Sequence, residues 1–370
     1  MLRRLLWLLG LLLMGPLAHA ASAAPRPALL LLDSAALATY KTAYRAGSAP
    51  EATQVRQLLA EANLGLARVP DPITSKPQTP PSGDKHDYIS QAPYWWPDPA
   101  KPDGKPYLQK DGLKNPESTD MHDSQRLTNV CYDVQTLALA YYFSGQETYA
   151  AHAAKLLRVF FLDKATRMNP NLTYGQGIPG TTDGRSYGII ETRHLTAIPD
   201  ALALLRGSPN RPAALVVGMR GWFRQFTDWL LTSEIALAEG ANKNNHGTFY
   251  DVQVVDFAMF VGDTALARRT VRTRTLPRVP VQFAPDGAQP LELARTRPWN
   301  YVSMNLEGWV KLAILAQHLG IDLWHYHTPD GRGLAAAVAW FRPYLLGQQR
   351  MDKADAVPAS NTTILRSTTK

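Results

Sequence analysis

The residues best suited to chemistry lie in one short motif and at two positions downstream of it. The motif is Asn244-Asn245-His246-Gly247, and the two positions are Arg295 and Tyr301. Amides, an imidazole, a guanidinium and a phenol are the groups needed to remove a proton from the carbon beside a carboxylate. Because that carbon is a very weak acid, donors must stabilise the carboxylate as charge moves onto it while a base takes the proton. The pattern therefore predicts an eliminating enzyme, a lyase.

A proline-rich stretch upstream carries three adjacent aromatic residues, Tyr94, Trp95 and Trp96. Flat apolar rings of this kind stack on sugar rings, and loop residues often contribute to binding. Burial in the core is the common alternative for such side chains. We expect at least one of the three to form a platform for a sugar.

Two further polar clusters could contribute to the same site. His122 and Arg126 lie at a predicted helix start, where they form either a basic pair directed into the cleft or an ion pair within the helix. Arg185 and Glu191 flank a glycine-containing loop, and Glu191 either pairs structurally with Arg193 or belongs to a substrate subsite. The nine histidines show no spacing typical of metal ligands, so we expect neither a metal site nor a cofactor.

Helices must position these residues, because apolar side chains recur with helical spacing along most of the chain. Residues 70–118 differ, since Pro, Gly, Asp and Lys with interleaved aromatics predict a long ordered loop region there. A short strand is indicated only at 278–283. The predicted helices span 51–66, 130–143, 147–162, 190–206, 211–239, 248–261, 264–276, 301–319 and 332–346.

Such a succession of paired antiparallel helices predicts an all-α fold, an α/α toroid or incomplete α/α barrel with long ordered loops. In this arrangement the joints between helices line the concave end. Asn245 and His246 precede a helix expected to begin near Thr248, and Pro298 shortly precedes a helix start at Tyr301. Both groups are therefore expected at the concave end.

The N-terminus has the pattern of an export signal. Two arginines precede the apolar run Leu5–Leu13, which is too short for a permanent membrane helix, and cleavage is acceptable after Ala20 or Ala23. We expect residues 1–23 to be removed and the protein to be periplasmic or secreted, without membrane contact after cleavage. A retained membrane anchor is the alternative.

The remaining chain is long enough to bury a large core. We expect residues 24–350 to form a single domain and the polar tail 351–370 to be disordered. Cys131 is the only cysteine, so no disulfide can form within the chain, and its apolar neighbours predict a buried, inert thiol.

The formal net charge of +8 falls to +6 once Arg3 and Arg4 leave with the signal. A basic surface on an exported protein suits an acidic partner. Nucleic acid is one such partner, but the sequence carries no basic repeat or nucleic-acid motif that would support it. An anionic polysaccharide is the partner we expect.

On these motifs the chain resembles the alginate lyase superfamily, whose catalytic domain is an α/α barrel. The resemblance covers roughly residues 80–320, and the six-residue step from Arg295 to Tyr301 is similar to polysaccharide lyase family 38 and more distantly to family 5. The segments that carry it, besides the first motif, are Tyr94-Trp95-Trp96-Pro97-Asp98-Pro99, Gly184-Arg185-Ser186-Tyr187-Gly188-Ile189-Ile190-Glu191, and Asp286-Gly287 leading to Glu292.

The resemblance implies a role for each residue. Asn245, His246 and Arg295 would bind a uronate carboxylate, with Asn244 as a further substrate contact, and Tyr301 would act as both base and acid. Arg297 is the rival for the guanidinium role. Tyrosine has a reference pKa of about 10, and an adjacent cation can lower such a pKa by roughly 1–3 units. We therefore expect Arg295 to bring the Tyr301 phenolate within reach of neutral pH.

The expected reaction is syn β-elimination in a 1,4-linked β-D-uronate polymer, which leaves 4,5-unsaturated uronate ends. Polymannuronate, as in alginate, is the preferred substrate and glucuronan the second, because the two sugars differ only at C2. Two other classes stay open. A glycoside hydrolase on the same scaffold would need two carboxylates, such as Glu191 and Asp98. The chain could also be an inactive glycan-binding protein, with the Asn244 motif only a capped turn.

Overall fold

The computed structural model of the protein describes residues 28–47 and 50–351. The predicted signal segment 1–23 and nearly all of the predicted tail 351–370 lie outside these ranges. Within them, no helix combines the length and the apolar character that crossing a membrane requires. Helices dominate the described chain, which confirms the predicted all-α class.

The first helices begin and end at residues that suit those positions. The Asp33 carboxylate accepts from the backbone N–H of Ala35 and Ala36 and so caps the first helix, and Gly145 ends the third in the left-handed region with φ 74°. The helices are α1 (Ser34–Ala46), α2 (Glu51–Leu66), α3 (Asp123–Ser144), α4 (Glu147–Leu157) and α5 (Ala197–Leu204).

The second group of helices carries the motif and the downstream positions. Proline occupies the first helical turn at Pro290 and Pro298, where its missing N–H costs nothing. The helices are α6 (Ala213–Thr232), α7 (Glu234–Ala241), α8 (Asn245–Val261), α9 (Thr264–Thr270), α10 (Leu276–Gln282), α11 (Pro290–Leu293), α12 (Pro298–His318) and α13 (Leu334–Leu345).

Short irregular elements connect these helices. Strand β1 (Ile89–Gln91) pairs in parallel with β4 (Tyr174–Gly177), and β2 (Trp95–Trp96) pairs antiparallel with β3 (Leu108–Gln109). The predicted loop region 70–118 is thus a loop region with three short strands. Single turns of 3-10 helix cover Ile73–Ser75 and Pro116–Thr119, a longer one covers Ser186–Thr196, and π-helical turns cover Arg158–Leu162 and Val271–Thr275.

Helix α8 is the centre of the packing. It contacts α6, α7, α9 and α12 as well as the 3-10 segment Ser186–Thr196, and its side chains are buried almost all round. A helix without a polar face belongs in the interior of a helical assembly. The other neighbours along the chain pack pairwise, α1 with α2, α2 with α3, and α3 with α4. One apolar core runs through these pairs and includes Cys131, whose thiol pKa is raised by burial.

The predicted strand at 278–283 is wrong, because residues 278–282 belong to α10 and Phe283 is its C-cap. An alternating pattern would place Val279 and Val281 on the same face. In the structure Val279 is 1% exposed and Val281 is 46% exposed, whereas Gln282, three residues beyond Val279, is buried. Helical spacing therefore describes the burial better than strand spacing, and Pro277 at the helix start favours the helix as well.

Other boundaries also differ from the sequence analysis. The predicted helix 211–239 is divided at Ser233, which has extended backbone angles, into α6 and α7. The predicted helix 190–206 is a 3-10 segment followed by α5. Finally, α8 begins at Asn245, ahead of the predicted start near Thr248, so the motif lies in its first turn.

Candidate active site

A buried ion pair between Arg278 and Asp251 supports the joint between α7 and α8. Arg278 of α10 donates from Nε and Nη2 to the two oxygens of Asp251, at 2.7 and 3.1 Å. The same guanidinium donates to the backbone carbonyls of Gly240 and Asn242, at 2.7 Å each. A planar guanidinium with several donors suits this task, because one side chain binds a carboxylate and two backbone carbonyls at the end of α7 at once. The joint that presents the motif is therefore rigidly supported.

Gly247 allows the first turn of α8 to approach this joint. A Cβ at this position would lie 2.1 Å from the carbonyl oxygen of Asn242 and 2.3 Å from Nη1 of Arg278. No side chain fits there without moving backbone. The glycine of the motif is thus required by the close approach of two backbone segments.

The two asparagines of the motif have different environments. Asn244 is the N-cap of α8, and its side-chain oxygen accepts from the backbone N–H of His246 at 3.2 Å. Asn245 is fully buried, and it donates from its backbone N–H and from Nδ2 to the two oxygens of Glu292, at 2.7 and 2.8 Å. Its Oδ1 is buried without a partner. Asn245 therefore joins α8 to α11. Its expected contact with the uronate carboxylate of a substrate stays a prediction.

His246 is held by a carboxylate that the sequence analysis did not select. Its Nδ1 lies 2.6 Å from Oε1 of Glu239, which is 1% exposed and also accepts from Nδ2 of Asn242 at 2.8 Å. The imidazole packs edge-on against Tyr187, with ring centroids 4.4 Å apart. A carboxylate at one ring nitrogen fixes the orientation of the ring and leaves the other nitrogen for chemistry.

Tyr301 lies in the first turn of α12, as predicted, and its hydroxyl has two polar neighbours. Nη2 of Arg295 donates to it at 2.9 Å, and the hydroxyl of Tyr94 lies 3.1 Å away. The guanidinium carbon of Arg295 lies 3.9 Å from the centroid of the Tyr301 ring, and Nη2 also reaches Asp111 Oδ1 at 3.0 Å. The rival Arg297 is exposed at the N-cap of α12. The structure therefore brings Arg295 to Tyr301.

The expected lowering of the Tyr301 pKa is wrong for this structure. Burial raises the pKa of Tyr301 above its ordinary value of 10.0, and the hydrogen bond with Tyr94 acts in the same direction. Arg295 acts to lower this pKa but is outweighed. Burial also acts to lower the pKa of Arg295, yet its hydrogen bond with Asp111 and its other neighbours raise that pKa overall. The effect of burial on the Tyr301 pKa could not be predicted from the spacing of residues in the sequence.

The three adjacent aromatic residues, Tyr94, Trp95 and Trp96, have different surroundings. Tyr94 directs its hydroxyl to Tyr301, while Trp95 is part of strand β2, with its ring 5.9 Å from the guanidinium carbon of Arg185. Trp96 donates from Nε1 to the carbonyl of Leu113 at 2.9 Å and lies under Lys110, whose Nζ is 5.3 Å from the ring centroid. Trp95 and Trp96 are both partly exposed, so either ring has surface available for stacking.

Arg185 and Glu191 are linked through a third residue, Gln176. Nη2 of Arg185 donates to Gln176 Oε1 at 2.9 Å, and Gln176 Nε2 donates to Glu191 Oε1 at 3.1 Å. Glu191 also accepts from the hydroxyls of Tyr88 and Ser90, and burial raises its pKa. The residues described contain no ion pair between Glu191 and Arg193, so these hydroxyl and amide donors are its partners in place of the pair considered from sequence.

His122 and Arg126 lie at the start of α3, as predicted. Arg126 forms ion pairs with Asp71 at 3.0 Å and with Asp123 at 3.3 Å, which is the ion pair within the helix that the sequence left open. His122 adopts the left-handed backbone region with φ 55° and shares a surface cavity with Arg126 and Asp71. Asp98, the second carboxylate of the hydrolase alternative, accepts from the backbone N–H of Ala100 at 2.9 Å in its own turn.

The site residues on the His246 and Tyr301 side are connected by a closed series of contacts, a ring of contacts. It runs from His246 through Tyr187 and Arg185 to Trp95, and from its neighbour Tyr94 to Tyr301. Arg295 and Glu292 close the ring back to the motif through Asn245. Three members, Glu239, Tyr187 and Glu292, were not proposed from sequence. Glu239 had one usable signal, since it is a lone charge in the small and apolar run 235–241. Within the described residues, no three His, Cys, Asp or Glu side chains converge as metal ligands would.

The sequence matches the model of the alginate lyase family over residues 72–351. Since this match covers most of the chain, the protein belongs to the alginate lyase family. It is accordingly a polysaccharide lyase, as the sequence analysis expected. No match was found among curated proteins.

Solved structures agree with this assignment. An alginate lyase from Bacteroides ovatus is 43% identical, covers 84% of this chain and 81% of its own, and superposes with a TM-score of 0.80. Alginate lyase A1-III from Sphingomonas species A1 is 15% identical, covers 85% of this chain and 78% of its own, and gives 0.53. A variant of the latter enzyme complexed with a tetrasaccharide gives 0.54 at 15% identity, over 87% of this chain and 80% of its own. The predicted α/α toroid is confirmed.

Proposed function

We propose that the protein cleaves 1,4-linked β-D-uronate polymers by syn β-elimination, with polymannuronate, as in alginate, as the preferred substrate. The observation that carries this proposal is the Tyr301 hydroxyl, which accepts from Arg295 at 2.9 Å and lies 3.1 Å from the Tyr94 hydroxyl. A phenol beside a cation and a second hydroxyl is equipped to lose and regain a proton. We further propose that the mature protein acts in the periplasm or outside the cell.

The proposed reaction uses one phenol twice. Arg295 and His246 bind the carboxylate of the reacting sugar, and the Tyr301 phenolate takes the proton from C5. The electron pair of the C5–H bond forms the C4–C5 double bond as the C4–O bond breaks. Tyr301 then returns the proton to the departing oxygen. Charge that develops on the carboxylate is stabilised by donors already in place, which is the main source of rate enhancement in such sites.

The supporting residues would maintain this geometry. Glu239 orients His246, and Asn245 with Glu292 fixes the first turn of α8 against the segment that carries Arg295. Burial raises the pKa of Tyr301 and Arg295 acts to lower it, so the Arg295 charge and alkaline pH both favour ionisation of the phenol. The mechanism needs no other base on that side of the sugar.

Stereochemistry gives the sharpest test. In β-D-mannuronate and β-D-glucuronate the C5 proton and the C4 oxygen lie on one face of the ring, within reach of a single phenol. In α-L-guluronate they lie on opposite faces, so a second group would be needed. We expect fast formation of ultraviolet-absorbing unsaturated ends from polymannuronate, slower formation from glucuronan, and little from polyguluronate or hyaluronan.

The matched control is Tyr301→Phe, which removes only the hydroxyl. We expect it to bind polymannuronate normally and to lose at least about 10³-fold in kcat, within the range for a single proton-transfer group. Equal rates on mannuronate and guluronate blocks would show that Tyr301 does not act alone. New chain ends without ultraviolet absorbance would identify a hydrolase instead.

A further inference from the structure

Arg185 carries a positive charge near His246, and no described carboxylate lies within ion-pair distance of it, although Glu239 and Glu191 act on its charge from farther away. It precedes the 3-10 segment Ser186–Thr196, and its guanidinium carbon lies 4.8 Å from the ring centroid of Tyr187 and 5.9 Å from that of Trp95. Tyr187 in turn contacts the imidazole of His246. The charge is therefore two contacts away from the residue proposed to hold the reacting carboxylate.

The partners of Arg185 in the described chain are neutral. Nη2 donates to the amide oxygen of Gln176 at 2.9 Å, and no carboxylate of residues 28–47 or 50–351 lies within ion-pair distance. Its Nε is buried without a hydrogen-bond partner. Arg295 and Arg278, by contrast, pair with Asp111 and Asp251. A half-buried cation without an ion-pair partner is costly, and burial lowers the pKa of Arg185, while the more distant Glu239 and Glu191 act to raise it.

Gln176 separates this cation from the nearest carboxylate in the network. Its amide oxygen accepts from Arg185, while its amide nitrogen donates to Glu191 at 3.1 Å. Gln176 itself has φ 51°, a strained conformation for a residue other than glycine. A neutral amide on a strained backbone therefore links Arg185 to Glu191.

A second unused donor lies on the same side of the site. Nε1 of Trp95 is buried without an acceptor, and the Trp95 ring faces the Arg185 guanidinium. Buried N–H donors are almost always paired in proteins, and Arg185 and Trp95 each have one without an acceptor among the described residues. Every sugar of a polyuronate carries one carboxylate, which is an acceptor with the charge that Arg185 lacks.

We propose that Arg185 and Nε1 of Trp95 form a second anion subsite, which binds the carboxylate of a sugar flanking the one that is cleaved. The proposal rests on the polyuronate substrate of the proposed function and adds the place where its second charge is bound. Gln176 is the positioning residue that keeps Arg185 available. The subsite makes the enzyme select for uninterrupted runs of charged sugars.

Steady-state kinetics on polymannuronate at several salt concentrations test this proposal. Arg185→Gln should raise KM roughly 10- to 100-fold, as expected for the loss of a hydrogen bond to a charged group, with little change in kcat. The salt dependence of KM should weaken in Arg185→Gln and return in part in Arg185→Lys, because the screened interaction is a charge pair. Arg220→Gln is the matched control, since Arg220 also lies over an aromatic ring, Phe260, on an exposed face of α6.

Trp95→Phe tests the indole donor separately, because it keeps a ring beneath Arg185 and removes only the N–H. KM should rise roughly 10- to 100-fold, as for one hydrogen bond to a charged carboxylate, while the melting temperature is retained because no protein acceptor is lost. A large loss of kcat with unchanged KM in Arg185→Gln would place Arg185 at the reacting sugar and overturn the proposal. Unchanged KM and kcat would overturn it as well.

Binding without turnover separates this proposal from the proposed function. Calorimetry with polymannuronate should show weaker binding by Tyr301→Phe/Arg185→Gln than by Tyr301→Phe alone. If the wild-type protein forms no unsaturated product, the proposed reaction is wrong, and this comparison still decides whether Arg185 binds a polyanion. Equal affinity of the two variants would remove the subsite.

Discussion

The guanidinium of Arg295 lies over the ring of Tyr301, with its carbon 3.9 Å from the ring centroid, and donates to the hydroxyl of the same residue at 2.9 Å. One side chain therefore contacts both the face and the oxygen of the phenol. The same nitrogen, Nη2, also donates to Asp111 at 3.0 Å. A planar guanidinium can make these contacts and still present its other N–H donors to a carboxylate.

Arg295→Lys should be nearly as damaging to activity as Arg295→Ala. Lysine keeps the charge, but a single ammonium cannot contact Tyr301, Asp111 and a substrate carboxylate in one plane. We expect both variants to lose at least about 10²-fold in kcat/KM, measured as the rate of unsaturated product formation. Arg297→Ala is the matched control and should retain activity. A silent Arg295→Ala beside an inactive Arg297→Ala would mean that the other arginine is the catalytic one.

The pH dependence should follow the raised pKa of Tyr301. A base must be deprotonated to act, and the pKa of Tyr301 lies above its ordinary value because of burial. The value of kcat/KM should therefore rise with pH throughout the alkaline range in which the fold persists. Arg295 acts to lower this pKa, so Arg295→Gln should move the rising limb to higher pH, whereas Arg295→Lys should leave it nearer the wild-type position. A profile that falls above neutrality would exclude Tyr301 as the base.

Glu239→Gln should reduce kcat while the protein remains folded. Glutamine can still accept from the imidazole, but it removes the charge that lies 2.6 Å from Nδ1 of His246. The loss should be roughly 10- to 100-fold, corresponding to a hydrogen bond to a charged group. Glu234→Gln, at the exposed start of the same helix α7, is the control and should behave as wild type. If Glu239→Gln retains full activity, His246 does not depend on this carboxylate.

Trp96→Ala should weaken binding of the polymer more than it weakens the fold. Base–aromatic stacking contributes about 1–3 kcal/mol, and a sugar ring on Trp96 should contribute a comparable amount. Long substrates should be affected more than short ones, as measured by calorimetry with the Tyr301→Phe variant. Trp340→Ala, on α13, is the control for losing an indole that packs against Tyr344. A lower melting temperature with unchanged affinity would assign Trp96 to a structural role.

The sequence was sufficient for most of the helices and for the local relation between Arg295 and Tyr301. Arg295 lies before the helix start at Pro298 and Tyr301 lies after it. Proline is favoured in the first turn of a helix, so this boundary can be read from the sequence. The helical periodicity also predicted the paired helices. The failure at 278–283 arose because Val279 and Val281 fit either a strand or a helix, and only burial distinguishes the two.

Contacts between distant segments could not be predicted from sequence. Glu292 binds Asn245 across 47 residues, and Tyr94 meets Tyr301 across 207. The raised pKa of Tyr301 depends on burial by such distant segments, so its direction could not be obtained from the neighbouring Arg295. Arg126 shows the reverse case, since its ion pair with Asp123 is three residues away and was among the alternatives.

The wide separation of Tyr94 and Tyr301 makes the active site a property of the complete chain. A break at the joint between α5 and α6, near Gly207, would leave Trp95 and Arg185 on one fragment and His246 and Tyr301 on the other. Each fragment would keep its own helices, while the ring of contacts would exist only when the two associate. Closing a longer loop costs little additional entropy, so a site built from residues far apart in the sequence is only slightly harder to form. Catalytic turnover would thus report reassembly of the toroid more directly than helix content does.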